Sequence, residues 1–116
     1  MDFYSDIEED GYHIFSRKKA KIPGYYPNKF PDYPGVKLKQ LQVGDSITIR
    51  AFFPVGKGES IRVDGGYIDL EIEHVEPDHI LAVIQTQLPG EFALSTGETI
   101  EIREEEILYK NKQQMH

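Results

Sequence analysis

At 116 residues, with 39% hydrophobic and 28% charged side chains, the chain has the size and composition of one globular domain, which excludes wholesale disorder and a two-domain layout. It contains no cysteine, so a disulfide framework, a thiolate zinc site and a cysteine nucleophile are excluded, and a reducing, cytoplasmic setting is the expectation. The net charge of −7 is divided unevenly: residues 1–62 carry ten basic and eight acidic side chains (+2), residues 63–116 three basic and twelve acidic (−9), which excludes a phosphate-binding footprint from most of the surface.

Residues 1–15 form an acidic N-terminal segment. Five acids among the first ten residues, beside Phe3, Tyr4 and Ile7, predict a mobile end or one short helical turn. Residues 12–15 predict a short strand. The opening is acidic where a secretory signal is basic and then apolar. Unbroken apolar runs stop at five residues, as in Ile80 to Ile84, too short for a membrane-spanning helix.

Residues 16–35 form a Pro/Tyr-rich basic strap. Prolines at 23, 27, 31 and 34 forbid a helix or a central strand and predict an extended, partly polyproline-like path over a surface. Arg17, Lys18, Lys19 and Lys21 supply charge, and Tyr25, Tyr26, Phe30 and Tyr33 supply flat rings. Cations with stackable rings suit single-stranded nucleic acid, but the acidic body opposes that approach. Covering the open end and edge of a small barrel is the simpler use of such rings. These eight residues are also the candidate contact surface for a protein partner.

Residues 36–110 read as a β-rich domain, with residues 111–116 as a tail. Turn signals recur about every ten residues, at 43–45, 54–58, 64–66, 76–78, 88–90 and 95–97. Between them Ile47 and Ile49 alternate with Thr48 and Arg50, and Ile61 and Val63 flank Arg62. Ile68, Leu70 and Ile72 alternate with Asp69, Glu71 and Glu73. The tight turn expected at Asp64-Gly-Gly66 is the sharpest local signal. Residues 79–84 are apolar on both faces and predict a central strand; Ile100 and Ile102 mark the last clear one. Residues 103–108 predict one helical turn that places Ile107 or Leu108 in the core. The fold class is therefore mainly β: a small antiparallel barrel or half-open sandwich of about five or six strands, with the strap across it. The predicted core is Ile47, Ile49, Ile61, Val63, Ile68, Leu70, Ile72, Leu81, Val83, Ile100 and Ile102.

Gly56-Lys-Gly-Glu-Ser60 departs from a phosphate loop twice, at Ala51 and Gly58, and reads as a hairpin loop. Glu73, His74 and His79, in a run of acids and histidines, are the candidate ligands for a divalent metal. Strand alternation sets Glu71 and Glu73 opposite His74, so a solvated strand face is the simpler reading. There is no nucleophile elbow and no catalytic motif.

Gly58-Glu59 ahead of a strand, Leu70-Glu-Ile-Glu-His-Val75, Pro89, Leu94-Ser-Thr-Gly97-Glu98, Ile100-Glu-Ile102 and Glu106-Ile107 together resemble the YegJ-like family of bacterial domains. The resemblance spans residues 58–108 and departs from the family in having no tryptophan. It implies a compact β-rich domain in an accessory or immunity-like setting and carries over no catalytic residue. The expectation is thus a non-catalytic protein-interaction module, an acidic accessory or immunity-like protein without a cofactor. Single-stranded nucleic-acid binding through the basic aromatic arm is the alternative, and pairing of two copies at a strand edge stays open.

Overall fold

Strand β2 (Ser46–Val55) sends apolar side chains to both of its faces, and the molecule is built in two layers around it. A computed structural model describes residues 3–55 and 62–111, with only the backbone at Asp6 and Arg62. Its sheet also contains β1 (His13–Ile14), β3 (Arg62–Val75), β4 (Ile80–Ile84), β5 (Thr99–Ile102) and β6 (Tyr109–Lys110). All pairings are antiparallel, in the order β1-β2-β3-β4-β5. β3 occupies one edge of β2 throughout; β1 (at Ala51 and Phe52) and β6 (at Ile47 and Thr48) share the other. The result is a curled half-barrel of the expected mainly β class.

The concave face holds the larger core: Ile47, Ile49, Ala51 and Phe53 of β2, Ile68, Leu70 and Ile72 of β3, Ile80, Ala82 and Ile84 of β4, and Ile102 of β5. Leu38, Leu41, Leu94 and Ile107 close its ends. Phe92 stacks on Phe53, centroids 4.1 Å apart. Of the predicted core, Ile47, Ile49, Ile68, Leu70, Ile72 and Ile102 are fully buried. Val63, Leu81, Val83 and Ile100 are only half-buried, and Ile61 lies outside the described residues. β4 lies between β3 and β5 as expected, but with the opposite phase. Its uniformly apolar sequence carries no alternation, and pairing places Ile80, Ala82 and Ile84 inward.

The turn expected at Asp64-Gly-Gly66 does not form. β3 runs straight through it, with Gly65 paired to Phe52 and Gly66 to Ala51. Neither glycine has a positive φ. Gly65 is accounted for by packing: a β-carbon there would stand 2.7 Å from the Phe52 ring. Pairing of Val55 with Arg62 puts the chain reversal after Val55. That connection, including the 56–60 loop, lies outside the described residues. Pro54 is tolerated in β2 because β1 reaches only Phe52 and no other described strand pairs with that edge at Pro54.

On the convex side, Phe3, Ile7, Phe15, Phe52 and Leu108 make a second core. The first residues fold further than one turn. Helix α1 (Phe3–Asp10) is two turns long, and Phe3 and Ile7, four apart on one face, are both buried. It ends at Gly11, whose φ of +80° and N–H bond to Ile7 O (2.8 Å) form a left-handed cap. The strap is less extended than the prolines imply. It opens with a 3₁₀ turn (Lys19–Lys21), then a turn at Pro23-Gly24 closed by Tyr25 N–H to Ile22 O, with φ +77° at Gly24. Residues 29–37 follow without regular structure. At the end of the domain a 3₁₀ turn (Glu104–Glu106) buries both Ile107 and Leu108, one in each core.

Candidate functional site

The strap residues proposed as a contact surface are largely engaged with the domain itself. Arg17 donates from Nε to Ile107 O (3.1 Å) and from Nη2 to Glu104 O (3.0 Å), and its backbone N–H bonds Glu105 O (2.7 Å). It ties the strap to the C-terminal 3₁₀ turn. Lys19 Nζ sits 5.3 Å from the centre of the Tyr25 ring, whereas Lys18 and Lys21 are exposed. Tyr25, Tyr26, Phe30 and Tyr33 are half-buried on the second core. The Tyr26 hydroxyl accepts the Ser16 N–H (2.9 Å) and meets His13 Nε2 at 2.7 Å. The rings meet one another largely edge to face, as at Phe15–Phe30 and Tyr26–Phe30 (5.1 and 5.4 Å). Such rings stabilise a core by their mutual contacts and are not splayed to receive bases.

The strap, α1 and C-terminal turn cover the convex face of β2, but not that of β4 and β5. There Leu81 and Val83 are half-buried and belong to neither core. Register places Val83 between Glu71 and Thr99, and Leu81 between Glu101 and His74. A bulge between Ile72 and His74 keeps Glu73 near this face, where it accepts a hydrogen bond from Thr99 Oγ1 (3.3 Å). Asp69 accepts from Thr48 Oγ1 (2.6 Å). Asp69, Glu71 and Glu73 make no ion pair among the described residues. The open face is thus an apolar centre within a mainly acidic rim that also holds His74 and Thr99.

A groove of about 940 Å³ lies between α1, the strap and strands β2 and β3. Phe3, Ile7, Phe30, Phe52 and Val63 form its apolar walls, and Arg50 is the cation in its lining. The guanidinium of Arg50 is boxed by Phe30, Tyr67 and Phe52, with Cζ 4.8, 5.3 and 5.5 Å from their ring centres. Nη1 donates to the Tyr33 hydroxyl (3.1 Å), which also meets the Tyr67 hydroxyl at 2.9 Å. Burial and the Tyr67 hydroxyl push the Tyr33 phenol upward against the opposing pull of Arg50. Nε is buried without a partner, and no carboxylate pairs with Arg50 among the described residues. The sequence placed Arg50 on a solvated face; an arginine two residues before Phe52 on one strand face was the available signal.

Strands β1 and β5 end the sheet order, and the seam between them is polar. Tyr12, His13, Glu101, Arg103, Lys19 and Glu106 line a cavity of about 250 Å³ there. Burial pushes the Glu106 carboxyl up to about 7, and the charge of Glu105 adds to this. The Arg103 N–H bond (2.8 Å) and the charges of Arg103 and Lys19 act in the opposite sense. Tyr12 is raised as well, by burial and then by Asp10, Glu98 and Glu106.

The candidate metal ligands are not gathered. His79 Nδ1 meets Asp78 at 2.7 Å and Glu101 at 3.4 Å, Glu73 is bonded to Thr99, and His74 is exposed. The His79 contact holds the Asp78 carboxyl below its usual range. Among the described residues no three acidic or histidine side chains are grouped to hold a metal ion. No described helix is long and apolar enough to cross a membrane. No protein-family model, curated protein or solved structure matches this chain.

Proposed function

We propose that the protein is a non-catalytic interaction module that docks a basic surface of another protein onto the open face of β3, β4 and β5. The observation that carries this reading is the rim of Glu71, Glu73 and Glu101, interrupted by His74, around half-buried Leu81 and Val83. An apolar centre supplies contact energy, and a charged rim supplies orientation and a salt-dependent association rate. The strap's cations lie with the other layer, so the acidic face is left to attract a partner. This is the chemistry of an acidic accessory or immunity-like protein.

Nucleic acid binding through the strap is the weaker reading, because Arg17 is committed to backbone carbonyls and the four rings to the second core. The immobilised protein is expected to retain one partner at low salt and release it as salt rises. The Glu71→Lys/Glu73→Lys variant should lose that partner while keeping the wild-type circular dichroism spectrum, and Lys18→Ala/Lys21→Ala should keep it. Capture that survives the charge reversal, or that fails with the lysine variant, overturns the assignment of the face.

A further inference from the structure

We propose that the groove beside α1 binds a monoanionic amphipathic carboxylate, its apolar chain along Phe3, Ile7, Phe52 and Val63 and its carboxylate on Arg50. This site is separate from the acidic face and does not depend on it.

Three features converge there. The groove walls are apolar, and the volume of about 940 Å³ lies within the range that ordinary small-molecule sites occupy, roughly 300–1,000 Å³. The floor is open because position 65 has no side chain: a β-carbon at Gly65 would meet the Phe52 ring that forms part of the groove. Among the described residues no carboxylate compensates the positive charge that Arg50 carries into this setting. Its rings attract the cation, but Phe30 and Phe52 have no acceptor and the Tyr67 hydroxyl is paired with Tyr33 instead. Tyr33 satisfies one nitrogen, and Nε has no partner among the described residues. A guanidinium is built to receive a carboxylate through paired N–H groups.

The charge count restricts the ligand. Arg50 is the cation of the lining and Glu8 is the acid, making no ion pair with it among the described residues. A phosphate or other polyanion would need more positive charge than the described residues of this groove hold. A single carboxylate on an apolar chain matches both the one cation and the walls.

The full chain titrated with sodium octanoate below its micelle concentration, followed by amide NMR, tests the proposal. Saturable shifts are expected at Phe52, Val63 and Gly65, with octanoate binding at least tenfold more tightly than 1-octanol. Arg50→Gln should abolish that preference. Because Arg50 also supports the ring box, Val63→Asp serves as a second variant: it sits on a half-buried wall, repels the carboxylate, and should weaken octanoate more than octanol. Equal binding of acid and alcohol, shifts centred elsewhere, or no saturable shifts would overturn the proposal.

Discussion

The Arg17 guanidinium lies against the backbone of Gly35, so closely that a β-carbon at 35 would fall inside it. Gly35 also holds φ at +71° and donates its N–H to Leu108 O (2.7 Å). One glycine therefore lets strap, arginine and C-terminal turn meet at a point. Gly35→Ala combines a left-handed backbone with a steric clash and should cost about 2 kcal/mol or more. In an Arg17→Ala background the clash is gone, so the same substitution should cost only the backbone part, about 1 kcal/mol. Urea denaturation of the four proteins measures the coupling. Equal costs in both backgrounds would mean that Arg17 and Gly35 do not interact.

Tyr26 joins the strap to β1 through one hydroxyl, which takes the Ser16 N–H and the His13 ring. Tyr26→Phe leaves that N–H without an acceptor in a largely apolar layer and should cost about 1–3 kcal/mol. Tyr26→Ala also removes a ring packed on Phe3, Phe15 and Phe30, and about 3–5 kcal/mol is expected. A change below about 0.5 kcal/mol in Tyr26→Ala, the range of ordinary surface substitutions, would show that the strap does not hold the fold.

The two glycines of β3 make a matched pair. Both are extended, but only at Gly65 would a new β-carbon meet the Phe52 ring; Gly66 has nothing within 4 Å. Gly65→Ala should therefore destabilise by about 1–3 kcal/mol through overpacking. Gly66→Ala should be neutral or stabilise by up to about 1 kcal/mol, by restricting the unfolded chain. If these glycines formed a tight turn instead, both substitutions would be damaging, so thermal melts of the pair separate the two structures.

That pair also marks what the sequence could and could not show. Alternation at 68–72 gave a strand and its inward face because Asp69, Glu71 and Glu73 are wet; at 47–49 the same pattern gave the inward face although Thr48 itself is buried under the second layer. Asp64-Gly-Gly66 has the composition of a turn, yet Gly65 answers to a ring thirteen residues away in β2, a contact that no local pattern encodes. The same holds at residues 80–84, where two apolar faces hide the phase, and so Leu81 and Val83 were placed in the core instead of on the open face. Arg17 and Arg50 each looked like solvated charge. Their partners, carbonyls near residue 105 and rings from the strap and β3, come from long-range packing.

Glu106 predicts an unusual dependence on pH. Its carboxyl titrates near 7 in the fold against 4.5 as a free side chain, so between those values the native state binds the extra proton. Where the native state binds more protons than the unfolded chain, stability falls as pH rises. This contribution is complete below about pH 4.5, fades through the interval and is gone above about 7, a total of up to roughly 3 kcal/mol at about 1.36 kcal/mol per unit. Tyr12, His13, Lys19, Glu101, Arg103 and Glu105 surround the same seam and will shape the curve. Glu106→Gln keeps an oxygen for the Arg103 N–H but cannot ionise. Urea midpoints from pH 5 to 8 should slope downward in the wild type and less so in the variant, with Glu106→Gln the more stable protein at pH 8. Parallel pH profiles would mean that the Glu106 carboxyl is not held in the protonated form.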